Sequence, residues 1–151
     1  MKKILALISA ITTIVSCTTS TLPEYDQVIK TIDLVNSNWQ NSHPEHGRAF
    51  WDNAAYHTGN MEVYKLTGNK AYLDYSYAWS ERNLWQGARS TNKEEWKYSY
   101  GESNDYVLFG DYQICFQVYA DLYNIQPDSI KIARAIEVME YEMSTPQNDY
   151  W

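Results

Sequence analysis

The residue whose type and setting best suit chemistry is Asp111, inside the stretch YVLFGDYQICFQVYADLY that runs from Tyr106 to Tyr123. Gly110 interrupts the apolar run Val107, Leu108, Phe109, and hydrophobic residues then recur at Tyr112, Cys115, Phe116, Tyr119, Leu122 and Tyr123 with the period of an α-helix. The spacing puts Asp111 at the N-cap of that helix. A carboxylate there has two uses: it accepts hydrogen bonds from the free amides of the first turn, or it is presented to a ligand. Gln113 and Gln117 lie four apart and project from one helical face, which suits the wall of a polar cavity.

A second group of candidates lies between Trp51 and Gly59. Tyr56 and His57 are adjacent in a predicted helix and point about 100° apart, so at most one of them faces a cavity squarely. His57 is either a satisfied structural histidine or part of the pocket wall. Trp51, one turn earlier, either lines the same cavity or packs on the next helix, and Asp52 and Asn53 read as first-turn capping residues. His43 and His46 stand beside Pro44 and Gly47 with no third ligand, so they read as a solvated loop and not a metal site. With no phosphate-binding glycine loop and no nucleophile elbow, no cofactor is expected.

These residues need elements to hold them, and the periodicity supplies helices. One is predicted from Pro23 to Asn38, with Val28, Ile29, Ile32, Val35 and Trp39 as its stripe. A second runs from Trp51 to Leu66 and stops at Gly68, and a third follows from Lys70 to Leu84, so the pair forms a tight hairpin. From Trp85 to Asp105 the period is lost. A loop that long is usually functional or disordered, and Trp85, Trp96, Tyr98 and Tyr100 favour the former, as a candidate surface for ligand contact. After the Asp111 helix, which ends near Asn124 and Pro127, another runs from Asp128 to Met143. The hairpins repeat: Val63–Leu66 falls against Leu122–Ile125 at an offset of 59, and Tyr72 against Ile130 at 58. That period suits stacked or circular helical hairpins.

Composition bounds the rest. Aromatic residues make up 15% of the chain, with 14 Tyr and 6 Trp; most fill space between helices, while some can present a polar tip or a stacking face for a sugar ring at a cavity wall. Lys2 and Lys3 precede an apolar run from Ile4 to Val15, too short for a membrane-spanning helix of about 20 residues but suited to a signal peptide. The run ends in Ile14, Val15, Ser16, Cys17, which resembles the lipobox of bacterial lipoproteins. Residues 1–17 therefore read as a lipoprotein signal peptide, Cys17 as the lipidation site, residues 18–22 as a tether and residues 23–151 as one domain. The expectation is an exported protein, lipid-anchored in the cell envelope. Cys115, the other cysteine, reads as a small core residue. Loss of Lys2 and Lys3 with the signal takes the net charge from -7 to -9, and an acidic chain without a basic cluster argues against a nucleic-acid partner. An acidic sugar stays open as a ligand, because local arginines decide that; those at hand are Arg48, Arg82, Arg89 and Arg134.

The segment WDNAAYHTGNMEVYKLTGNKAYLDYSYAWSERNLW from Trp51 to Trp85, followed by GDYQICFQVYADLY from Gly110, resembles the N-terminal part of the unsaturated glucuronyl and rhamnogalacturonyl hydrolases, glycoside hydrolase families 88 and 105. The sharpest pieces are Tyr56, His57, Thr58, Gly59 and the motif from Asp111 to Tyr119. Relatives commonly carry two acidic residues in a row there, whereas the second is Tyr112 in this chain. The resemblance implies an all-α fold, the helical hairpins forming roughly the first half of an (α/α)6 toroid, with substrate bound at one open end of the inner ring. It also implies hydration of the C4=C5 double bond of a terminal unsaturated uronic acid in pectin or rhamnogalacturonan fragments. Tyr56 is the favoured substrate contact, with His57, Trp51 and Gln113 as further candidates.

Protonating an enol-ether carbon needs an acid that is still protonated near neutral pH. The first turn of a helix favours the ionised carboxylate, so Asp111 takes the partner role beside a second carboxyl that delivers the proton. In the family that carboxyl is an Asp just after a tryptophan-rich motif, whose opening Tyr150 and Trp151 resemble. The chain is thus expected to be an incomplete, inactive part of a longer enzyme, with apolar faces left wet at about 25 cal/mol per Å². The competing expectation is a helical surface lipoprotein that binds glycan through Tyr and Trp without catalysis.

Overall fold

The computed structural model describes residues 22–98 and 100–146. The lipobox with Cys17 and the Tyr150–Trp151 pair lie outside the described residues. Among the described residues six helices follow in order: α1 (Tyr25–Ser42), α2 (Trp51–Thr67), α3 (Lys70–Arg82), α4 (Gly110–Gln113), α5 (Cys115–Ile125) and α6 (Ile130–Ser144), with a single 3₁₀ turn at Lys93–Glu95. Among the described residues there is no strand.

The α2–α3 hairpin is fixed by local chemistry. Gly68 closes α2 at φ 69°, a left-handed position that costs glycine little, and its amide donates to the Tyr64 carbonyl. Asn69 then caps α3, its side chain accepting from the Ala71 amide at 3.0 Å. A parallel pair of helices follows from side-chain contacts at both ends. Phe50, which precedes α2, meets Tyr112 of α4 edge-on at 4.9 Å, and near the other ends Lys65 of α2 pairs with Asp121 of α5 at 3.3 Å. α3 and α6 run back against them. The result is two helical hairpins side by side, the arrangement of a helical toroid.

The main core lies between α2, α3 and α5, where Ala54, Met61, Trp79, Cys115, Val118 and Leu122 are buried. Cys115 is a free, fully buried thiol whose ionisation burial opposes, as its reading as a small core residue requires. A second core joins the long loop to α4 and α6 through Phe50, Trp96, Val107, Leu108, Tyr112 and Val138.

Several expectations are corrected by these contacts. α1 begins two residues after Pro23 and runs on to Ser42, because Trp39 is sandwiched between His43 and Tyr56 at ring separations of 4.0 and 4.4 Å. Its apolar stripe is only half covered: Val35 stays 59% exposed, and the one buried residue is Asn36. His43 and His46 are half-buried against Trp39 and Tyr75 and do not form a solvated loop. α3 ends at Arg82, and the chain turns through Leu84 and Trp85, both at positive φ. The aromatics of the long loop divide: Trp85 and Trp96 are core residues, and Tyr100 is exposed. The repeat holds its offset of 59 in the second helix of each hairpin, since Tyr72 and Trp79 correspond in burial to Lys131 and Val138, while Ile130 is 58% exposed.

Candidate active site

The contacts that make α2 and α4 parallel bring their first turns to one end of the molecule. Arg48, Phe50, Trp51, Asp52, Asp111 and Tyr112 all belong to that end. The connection before α2 is fastened there by α3: the Tyr75 hydroxyl donates to the His43 carbonyl at 3.1 Å, Trp79 Nε1 to the Arg48 carbonyl at 3.4 Å, and the Asn83 side chain accepts from the Ala49 amide at 2.9 Å. Asn83 is buried, and losing it would leave that amide without a partner.

Asp111 is not the N-cap. Phe109 holds that position with no side-chain cap, and Asp111 follows Gly110 in the first turn of α4. The carboxylate is half-buried and makes no hydrogen bond or ion pair among the described residues. The predicted single helix is stepped at Ile114, where the Gln117 amide reaches back only three residues, at 3.2 Å. That step leaves Gln113 and Gln117 in different settings. Gln113 donates to Glu142 of α6 at 2.7 Å, and Gln117 is exposed.

The remaining candidates are distributed over several surfaces. Trp51, at the start of α2, is 52% exposed at the same end as Asp111. Asp52 accepts the Asn53 amide at 2.8 Å, so it closes a local turn as a first-turn residue would. Tyr56 faces α1: its hydroxyl donates to Asn36 Oδ1 at 2.6 Å and accepts from Gln40 at 3.3 Å, and burial pushes its phenol up to about 12. It lines an apolar groove of about 320 Å³ with Ile32, Val35, Ala55, Gly59 and Val63. His57 points the other way and is fully buried. It stacks on Trp79 at 4.3 Å, Nδ1 pairs with Ser76 Oγ at 3.1 Å, and Nε2 has no partner among the described residues. The structure therefore brings Trp51 and Asp111 to one end and turns Tyr56 and His57 to the α1 and α3 sides of α2. Among the described residues no group of three or more His, Cys, Asp or Glu side chains is arranged to hold a metal ion.

Two features of this end were not legible in the sequence. Arg48 pairs with Glu102 at 2.6 Å and lies over the Phe50 ring at 4.2 Å, and Glu102 holds the guanidinium above its ordinary range. The partners are 54 residues apart on two loops, where no period links them. Arg134 is the other. It is buried under the long loop, donating to the carbonyls of Ala88 and Ser90 at 3.1 and 2.6 Å.

No curated protein matches the chain. A solved structure titled a polysaccharide lyase is 70% identical and superposes with a TM-score of 0.80; the match covers 83% of this chain and 36% of that one. A structure titled glycosyl hydrolase family 88 from Bacteroides vulgatus is 60% identical, also with a TM-score of 0.80 and with the same shares covered. The chain thus spans little more than a third of the length of these two structures. The family model described as Glycosyl Hydrolase Family 88 matches residues 16–151, nearly the whole sequence, and the chain belongs to that family.

Proposed function

We propose that this chain is part of a glycoside hydrolase acting on oligosaccharides that end in an unsaturated uronic acid, of the kind released from pectin and rhamnogalacturonan, and that it works by hydrating the C4=C5 double bond. The observation that carries the reading is Asp111: half-buried in the first turn of α4, beside the start of α2, and with no partner among the described residues. A carboxylate that the fold does not use is available to a ligand.

In this reaction a proton is delivered to C4 and the positive charge that develops at C5 is shared with the ring oxygen. Water adds at C5, returning a proton, and the resulting hemiketal opens to a ketone. C1 is left as a hemiacetal that releases the next sugar as an alcohol. Asp111 orients a substrate hydroxyl, and its negative charge keeps the delivering carboxyl protonated. In this reading the second carboxyl comes from the remaining length of the protein, since the chain covers 36% of the matched structures. Trp51, exposed at the same end, offers an aromatic face to a sugar ring.

The lyase title of one matched structure favours a second reading, β-elimination, which makes the double bond instead of consuming it. One assay separates the two. The full-length protein is given an unsaturated galacturonyl-rhamnose disaccharide and, separately, an intact rhamnogalacturonan oligosaccharide, and absorbance of the conjugated double bond is followed with release of free rhamnose. Hydration predicts falling absorbance in step with rhamnose release from the disaccharide. Rhamnose release at constant absorbance, or rising absorbance with the intact oligosaccharide alone, contradicts it.

A further inference from the structure

The four arginines available to an acidic ligand have unequal roles. Three of them, Arg48, Arg82 and Arg89, line one cavity of about 460 Å³ with Glu45, Gly47 and Asn83, so a chain of net charge -7 gathers three guanidinium groups and one carboxylate around a single space. Two are engaged: Arg82 pairs with Glu45 at 3.0 Å, and Arg48 with Glu102 at 2.6 Å. Arg89 makes no side-chain hydrogen bond or ion pair among the described residues. It also borders a second cavity of about 470 Å³, with Ser90, Asn92, Asn104 and the carboxylates of Glu95 and Asp105.

The backbone around Arg89 is held firmly. Gly87 lies so close to α4 that a Cβ there would come within 2.6 Å of the Tyr112 carbonyl oxygen. On either side of Arg89 the carbonyls of Ala88 and Ser90 accept from Arg134, and that of Ser90 also accepts from Trp96 Nε1 at 2.9 Å. The Ser90 amide donates to the Asn104 carbonyl at 2.9 Å. The buried fourth arginine is thus the brace that presents the free one. Among the described residues no hydrogen bond or ion pair uses the Arg89 guanidinium, and its planar fork of donors matches a carboxylate.

We infer that Arg89, with Arg48 and Arg82 beside it, is a subsite for the carboxylate of a uronic acid residue other than the one that reacts. Asp111 borders neither cavity, so an anion held by Arg89 is not the sugar held by Asp111. The inference rests on the reading of the chain as acting on acidic oligosaccharides, and it makes the preferred ligand longer than a disaccharide.

The test uses a ligand that cannot be hydrated. Binding of saturated galacturonate trimer and of neutral galactose trimer to the full-length protein is measured by calorimetry, for the wild type and for Arg89→Gln. Because the Arg89 side chain is exposed and unbonded, the variant keeps the fold. Arg89→Gln is expected to weaken the acidic trimer by about tenfold, the loss of one charge-assisted hydrogen-bonding group. Wild-type affinity for the acidic trimer is expected to exceed that for the neutral one and to fall as salt is raised, since about 1 M salt shortens the screening length to about 3 Å. Unchanged acidic-trimer binding in the variant, or equal wild-type binding of the two trimers, overturns the subsite. A saturated trimer reports on binding alone, so failure here leaves the hydration reading standing, and failure of the hydration assay leaves this result interpretable.

Discussion

At the scale of single residues, His57 shows how a motif residue can serve the fold. It is wholly buried among Tyr75, Trp79 and Ser76, and burial, helped by the neighbouring His46, pushes its imidazole down to about 3. An unfolded chain takes up that proton near pH 6.5. Between those values the unfolded state binds the proton and the folded state does not, so the contribution is complete above about pH 6.5 and is lost as pH falls toward 3, at up to about 1.4 kcal/mol per pH unit. Urea unfolding at pH 7.5 and 5.0 is expected to show the wild type losing about 2 kcal/mol more than His57→Phe over that interval. Parallel losses would show that His57 is accessible to protons in the folded chain. The first-turn position of Asp111 was legible from a Gly-Asp step before a helical period, although the cap itself fell to Phe109. Arg89 was not. Its significance lies in what surrounds its backbone, and those partners come from the distant residues Tyr112 and Arg134.

At the scale of elements, what was readable in the sequence was what local chemistry decides. Gly68 and Asn69 end one helix and start the next through their own backbone and side-chain preferences, and the α2–α3 hairpin emerged where the pattern put it. The extent of α1 was decided by Trp39 stacking on Tyr56, seventeen residues on, a contact no local pattern encodes. The long loop carries the sharper lesson. Its aromatic content suggested a ligand surface, yet Trp85 and Trp96 are buried, and the loop is held by Arg134, whose guanidinium lies 4.9 Å from the Trp96 ring. Arg134→Met removes a buried charge-bearing donor from two carbonyls and leaves Glu137 without its 2.7 Å partner, a loss of about 3 kcal/mol. Thermal unfolding should register it. Hydrogen exchange should accelerate between residues 86 and 98 while the α2–α3 hairpin stays protected. Uniform acceleration across both would mean that the brace supports the whole core and not the loop.

At the scale of the molecule, two parallel helices, α2 and α4–α5, begin at one end, and the loops that carry Arg48, Arg89 and Glu102 gather around that end. The fold thus separates a carboxylate in a first turn from a set of guanidinium groups on braced loops, as the proposed acidic-oligosaccharide ligand requires. Elsewhere the surface is less finished. Val35 and Leu34 of α1 are exposed, the latter at 71%, beside the apolar groove shared with α2. The proposed function requires Asp111 as one member of a carboxyl pair, and the most direct measurement is the turnover of Asp111→Asn in the full-length protein on the unsaturated disaccharide. The account predicts a fall in kcat of about 10² to 10⁴, the range for losing a positioned acid–base group, with KM changed far less. An Asp111→Asn enzyme that hydrates the double bond at the wild-type rate would contradict it.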